Sequence, residues 1–228
     1  DAEYKRLPCG ELESKKIAEM FGTRAYVGKE AKQSVLWRRE SKDVIHISAH
    51  GVLDEKSLED VIKSNLFINS YLEFAGCRDW EEGRKNQEYG NGIISADDFL
   101  FMDLSKVKLV VLSACVSSLG YTKGLQNVHG MRWALGAAGA ENSVTALWSV
   151  SEVATAVLMV LFYRNLYTMP VGEALYEAKR QLRTITTAEL RKDSVLRQMI
   201  VMGGRGQEAD DRPFQNWRYW AAFVCYHR

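Results

Sequence analysis

Two apolar runs end in the same way. Lys108 to Cys115 places Leu109-Val110-Val111-Leu112 ahead of Ser113-Ala114-Cys115, with no polar alternation. Such a run suits a central parallel strand covered on both faces, and ligands in sheets of this kind sit just beyond the carboxyl ends of the strands. Asp43 to Gly51 repeats the design, an apolar strand through Ser48 followed by Ala49-His50-Gly51. One strand end offers a thiol and the other an imidazole.

The rest of the chain predicts alternating helices and strands. Gly10 to Phe21 spaces Leu12, Ile17, Ala18, Met20 and Phe21 as one helical face and stops at Gly22, a residue that accepts the left-handed conformation closing a helix. Arg24 to Gly28 reads as a minimal strand, Lys29 to Glu40 as a helix with Ala31, Val35 and Leu36 inward, and Asp43 to Ser48 as the next strand. This order predicts parallel pairing with crossovers. Regularity weakens between Gly51 and Gly92, where Leu66-Phe67-Ile68 is an apolar patch and Gly76 to Gly92 reads as a mobile loop. Loops longer than about 12 to 15 residues are usually functional or disordered.

Ser95-Ala96-Asp97-Asp98 has the form of a capped helix start. Val116 to Thr122 reads as a loop, Gly124 to Gly139 as a helix, and Ser143 to Trp148 as another buried strand. Ser151 opens a helix to about Tyr167, and Pro170 opens an amphipathic one carrying Ala174, Leu175, Ala178 and Leu182. Thr187 to Met202 reads as one helix, Gly203 to Asp211 as a loop and Trp217 to Tyr226 as strand-like. No internal repeat is evident.

At 228 residues, with 46% hydrophobic and 11% aromatic content, the chain can bury the core of one large domain. A formal charge of +1, from 30 basic and 29 acidic residues, gives no general electrostatic grip on nucleic acid or anionic lipid. No direct nucleic-acid binding and no membrane association are expected. Cys9, Cys77, Cys115 and Cys225 show neither zinc-ligand nor disulfide-framework spacing, which fits a reducing cytoplasm and assigns no metal. The chain opens without Met in a polar stretch and reads as a fragment of a longer protein.

A thiol attacks a carbonyl as thiolate, and an imidazole can take its proton and later protonate the leaving amine. Taken alone, a cysteine ending an apolar strand is more often inert packing. Its pairing with His50-Gly51 changes that weighting, since Gly51 can bring its N–H close to a substrate and, with the N–H of Cys115, form an oxyanion hole. The other candidates have simpler explanations. His46 reads as a satisfied core residue, His129 as structural, and Asp97 and Asp98 as helix-capping groups. Trp217, Tyr219 and Trp220 read as packing rather than a base-stacking platform.

His46-Ile-Ser-Ala-His50-Gly51 followed by Val110-Val-Leu-Ser-Ala-Cys115 resembles the signature of the CHAT domains, caspase-like cysteine peptidases of the clan that holds separases, gingipains and metacaspases. Met131 to Gly139, Ala146 to Val150, Phe162-Tyr163 and Tyr219 to Phe223 resemble further landmarks of that family, so the likeness spans most of the chain, 1–228. It implies a caspase-hemoglobinase-like α/β three-layer sandwich with a mostly parallel central sheet. It implies an endopeptidase working on protein or peptide substrates through a thioacyl intermediate, without a cofactor. Cys115 would be the nucleophile, His50 the general base and acid, and Gly51 with Cys115 the oxyanion donors.

By the same resemblance, Ser113 would line the pocket for the residue before the cut, a position where metacaspases place an acid. Leu147-Trp148-Ser149-Val150-Ser151-Glu152 is similar to the separase Leu-Trp-Asp-Val-Thr-Asp, whose acids receive a basic side chain. Trp148, Ser149 and Glu152 are therefore candidate substrate-binding residues. Here Ser149 replaces one acid and Glu152 the other, so basic and modestly polar or apolar preferences compete. Glu152 also has a structural reading, a negative charge at a helix start. The resemblance further implies a tetratricopeptide or other sensing domain, in cis or in trans, that triggers activity. Alternatives are a catalytically silent caspase-like interaction module and a different thiol hydrolase acting on a small amide.

Overall fold

The computed structural model describes residues 7–38, 43–53, 70–84, 88–116, 124–204 and 211–228, with the backbone alone at 53, 70, 115–116 and 124–129. The chain divides into two compact units, Asp1–Ala25 with Val150–Phe223, and Tyr26–Ser149 with Val224–Arg228. The candidate chemistry falls almost entirely in the second.

That unit is built on strands β1 (Val44–Ile47), β5 (Leu109–Leu112), β7 (Asn142–Ala146) and β8 (Phe223–His227), in the spatial order β1-β5-β7-β8. β1, β5 and β7 are parallel neighbours, with Ile45 opposite Val110 and Val110 opposite Ser143. Every residue of β5 and β7 is buried, and in β5 this is why Leu109 to Leu112 shows no alternation. Ile45, Ile47, Val110 and Leu112 share one core with Phe99, Met102, Met131, Ala134 and Leu135. Those partners come from the segment of helix α3 (Ala96–Leu100) and from α4 (Gly124–Ala137). β8 is tied to β7 by Arg228 N–H donating to Glu141 O at 3.0 Å and by His227 Nδ1 lying 3.1 Å from Asn142 Oδ1.

A second sheet runs in the order β4-β3-β2-β6, from β2 (His50–Leu53), β3 (Ser70–Glu73), β4 (Ile93–Ser95) and β6 (Cys115–Val116). It grows out of the first. β1 and β5 each continue after two residues, Ser48-Ala49 and Ser113-Ala114, as β2 and β6, which pair again in parallel. Ser113 N–H donates to Ile47 O at 2.8 Å across the interruption, and the separation of Ile47 from Leu112 recurs in His50 with Cys115, so the register does not slip.

The other unit is helical among its described residues. Helix α5 (Glu152–Asn165) is buried continuously from Val153 to Tyr163, and α1 (Pro8–Met20), α6 (Val171–Thr184) and α8 (Ser194–Met202) pack against it. Phe21 and Phe162 meet the Tyr163 ring edge-on at 5.7 and 5.1 Å.

Several expectations are corrected. Arg24 to Val27 forms no strand, and the helix expected from Lys29 is two single-turn 3₁₀ pieces, Gly28–Glu30 and Gln33–Val35, with Gly28 at φ 55°. The Gly76 to Gly92 segment opens with a short helix, α2 (Cys77–Glu81), and is fastened to the chain before β1. Ala75 N–H donates to Ala31 O at 2.8 Å, Lys32 pairs with Glu88, and the Lys32 ammonium lies 4.9 Å from the Tyr89 ring centroid. Thr187 to Met202 breaks into α7 (Thr187–Lys192) and α8, because Asp193 turns its carboxylate onto the N–H groups of Val195 and Leu196 and caps the second piece. Trp217 to Tyr226 opens as the short helix α9 (Trp217–Trp220) before β8 begins. The strand expected at Ser143 to Trp148 stops at Ala146. Leu66-Phe67-Ile68 and most of the loops expected at Val116 to Thr122 and Gly203 to Asp211 lie outside the described residues.

Candidate active site

The second sheet alternates. Leu72 and Ile94 are buried at 3% and 1% exposure and join the core cluster, and Gly51, opposite Leu72, is buried. Their neighbours His50, Val52, Tyr71, Glu73, Ile93 and Ser95 are half-buried. A strand with this period turns one face to the core and the other outward, so His50 belongs to the open face.

The register across that face is specific. His50 stands opposite Cys115 in the parallel β2/β6 pair and opposite Glu73 in the antiparallel β2/β3 pair, and Glu73 stands opposite Ile93 in β4. Cys115, His50 and Glu73 therefore occupy one row on three neighbouring strands, which lie about 4.8 Å apart in any sheet. Gly51, opposite Val116 and Leu72, falls in the next row.

Ser113 lies in the turn between β5 and β6, 5% exposed, and its Oγ has no hydrogen-bond partner among the described residues. Trp148 and Ser149 follow β7 in irregular chain, half-buried and exposed in turn. All of these belong to the second unit. Glu152 belongs to the first, at the start of α5, where its Oε1 accepts from the N–H groups of Cys9 at 2.7 Å and Gly10 at 3.1 Å. A carboxylate at the amino end of α1 answers the unpaired amides and positive dipole end found there.

The remaining thiols sit in quieter settings. Burial pushes the Cys77 thiol up to about 12, helped by the charges of Glu81 and Glu73, and burial with Glu152 and Glu13 pushes Cys9 up to about 11. Glu73, Cys77 and Glu81 bring their donor atoms within 4.8 Å of one another, the metal-type grouping found among the described residues. The Cys77 thiol there lies 3.9 Å from Glu81 Oε1 as a weak hydrogen-bond donor. A metal would need it as thiolate, the form this setting disfavours.

Glu73 is the residue of this row that sequence reasoning missed. Its signal was the alternation Tyr71-Leu72-Glu73, too short to stand out between an irregular stretch and Gly76.

The profile of the CHAT domain family matches residues 1–228, the whole chain. The chain belongs to the CHAT domain family, a caspase-like group related to the cysteine peptidases of clan CD. Its α/β architecture with a mostly parallel central sheet is that of a caspase-like fold. A search of curated proteins returns no match. CHAT domains often occur with tetratricopeptide-like domains. Among the described residues no helix is long and apolar enough to cross a membrane.

Proposed function

We infer that this domain is a cysteine endopeptidase whose nucleophile is Cys115 and whose general base and acid is His50. The observation that carries the reading is their register, opposite one another on adjacent parallel strands, with His50 half-buried on the outward face of β2. Residues paired across a ladder share a face of the sheet, so the pairing supports reading the two as a Cys-His dyad.

In this mechanism His50 accepts the Cys115 proton and the thiolate attacks the scissile carbonyl carbon, forming a C–S bond and placing the electron pair on oxygen. The N–H groups of Gly51 and Cys115 stabilise that oxyanion. Collapse breaks the C–N bond as His50 gives its proton to the departing amine. Water, deprotonated by His50, then hydrolyses the thioester and returns the thiol.

Ser113, Trp148 and Ser149 are the residues we assign to the pocket for the residue before the cut. Glu152 is already engaged by two backbone N–H groups, which weighs against a pocket for Arg or Lys and towards a polar or apolar preference. The same engagement is the one observation favouring a silent interaction module, since it removes the acid that the resemblance offered for substrate. A tetratricopeptide or similar sensing domain is the partner we propose for activation, and a reducing cytoplasm the setting.

The test is a peptide-library digest with the intact protein, Cys115→Ala and His50→Ala, with and without a tetratricopeptide partner, beside labelling by a thiol-reactive peptide electrophile. Cleavage should fall at least about a thousandfold in both variants. At pH 7.5 the label should enter Cys115 and leave Cys9 and Cys77 unmodified. Their raised thiols stay protonated until the pH approaches about 11 and 12. No cleavage under any condition together with an unlabelled Cys115 would establish the silent module instead.

A further inference from the structure

The row that pairs Cys115 with His50 continues one strand further, to an acid. We propose that Glu73 is a positioning residue for His50: its carboxylate, from the neighbouring antiparallel strand, holds one imidazole N–H so that the other nitrogen faces Cys115. The inference rests on the dyad assigned above and extends it to a line of three, thiol, imidazole and carboxylate, on β6, β2 and β3.

Three observations support the placement. Directly opposed residues of an antiparallel pair have Cβ atoms about 4.5 to 5.5 Å apart and project from the same face, and His50 and Glu73 are such a pair. Both are half-buried on the outward face, while Gly51, Leu72 and Ile94 of the adjoining row are buried. A carboxylate in partial burial is worth more to an imidazolium than one in open water, because the local dielectric is lower. The position is also fixed from its far side. β3 is held by pairing with β4 at Glu73 opposite Ile93, and Phe74 N–H donates to Gly92 O at 2.7 Å.

A neutral imidazole has two tautomers, and only the one with its lone pair toward the thiol can act as base. An acceptor on the opposite side selects that tautomer and stabilises the cation formed when the proton arrives. The titratable groups around His50 on the elements packed against it are Glu73 and Tyr71 from β3 and Cys115 from β6. Behind Glu73 stand Cys77 and Glu81 of α2, within 4.8 Å of its carboxylate. The Cys77 thiol is neutral well above physiological pH, so Glu73 and Glu81 supply the local negative charge. This cluster defines the rival account, in which Glu73 serves α2 alone.

The test uses Glu73→Gln, which keeps shape and loses charge, Glu73→Asp as the conservative variant, and Glu81→Gln as a control for α2. The His50 tautomer is read from its ring nitrogen chemical shifts, and Cys115 alkylation is followed against pH. In Glu73→Gln the ring nitrogen shifts of His50 should move toward a mixture of the two tautomers, because the acceptor that selects one has lost its charge, and Cys115 alkylation at pH 6 to 7 should slow by about tenfold or more. Glu73→Asp should restore part of both, and Glu81→Gln should leave both near the parent values. If peptide cleavage is measurable, the loss in Glu73→Gln should appear in kcat rather than KM.

Unchanged His50 ring shifts in a folded Glu73→Gln variant overturn the inference, as does an equal effect from Glu81→Gln. Should Glu73→Gln fail to fold, Glu73→Asp carries the same decision, by intermediate His50 ring shifts or unchanged ones. A parent protein that cleaves nothing, with His50 still responding to Glu73, sinks the peptidase reading and leaves the coupling standing. A parent that cleaves and is indifferent to Glu73 does the reverse.

Discussion

The two sheets of the second unit are made from partly the same chain and treat their side chains oppositely. In β5 and β7 every residue is buried; β5 reads as an unbroken run of Leu and Val, and β7 buries Asn142, Ser143 and Thr145 beside Val144 and Ala146. In β2, β3 and β4 burial alternates, with Gly51, Leu72 and Ile94 inward and His50, Glu73 and Ile93 outward. The first arrangement builds stability and leaves no room for a reactive group. The second keeps one face on the core and frees the other, and the change from one to the other takes two residues, Ser48-Ala49 on one chain segment and Ser113-Ala114 on the other. The candidate residues come immediately after that change.

The contrast is broken most forcefully by placing the same charge in each sheet. Val111 is fully buried in the central strand, paired with His46 on one side and Val144 on the other. Val111→Asp should destabilise by more than about 4 kcal/mol and leave no cooperative urea transition by circular dichroism. Val52→Asp, on the half-buried face of β2, should lose only about 1 to 2 kcal/mol, mostly strand propensity and partial desolvation. Similar midpoints for the two variants would show that the second sheet is closed on both faces.

How far these sheets could be read in advance follows from the same difference. β5 was legible because Leu109 to Leu112 admits no alternative, and the helix from Gly10 and the Ser95 cap were legible because their signals are local. Ser95 Oγ accepts from Asp98 N–H at 3.3 Å, and the Asp98 carboxylate accepts from Ser95 N–H at 2.7 Å, the reciprocal box expected of that spacing. His50 and Cys115 stood out by type and position. The second sheet did not, since β2 and β3 mix apolar and polar positions over four residues and β4 and β6 run only three and two. Ala31, Val35 and Leu36 imitated a helical face in a stretch whose backbone hydrogen bonds are spent on single turns and on Ala75. Glu152 was weighed from its place in a motif, while its engagement with Cys9 and Gly10 depends on a helix 142 residues away in sequence from Gly10 to Glu152.

A smaller effect tests how the open sheet is held at its turn. Gly92 has φ 64°, and a Cβ there would meet the backbone N of Cys77 at 2.2 Å and its Cα at 2.7 Å. Neither backbone atom can rotate away, so Gly92→Ala combines left-handed strain with a clash against the start of α2. It should destabilise by about 2 kcal/mol or more and increase amide exchange in β3 and β4 before β5. Uniform exchange across both sheets would mean that the two open as one.

The smallest expected effect lies inside the closed sheet and has the opposite sign. Thr145 stands opposite Leu112, is 4% exposed, and its Oγ1 has no hydrogen-bond partner among the described residues. Burying a hydroxyl without a partner costs about 1 to 3 kcal/mol, and valine keeps the β-branched shape that suits a strand. Thr145→Val should therefore raise the urea midpoint, by a stabilisation of about 1 kcal/mol, with the slope unchanged. Because Thr145 sits where the closed sheet offers its oxygen no partner among the described residues, gain on removing that oxygen is the signature that separates this position from the outward row of β2 and β3, where polar groups have a face to occupy. A loss of 1 kcal/mol or more in Thr145→Val would place a bound partner on that hydroxyl and bring polar chemistry into the central sheet.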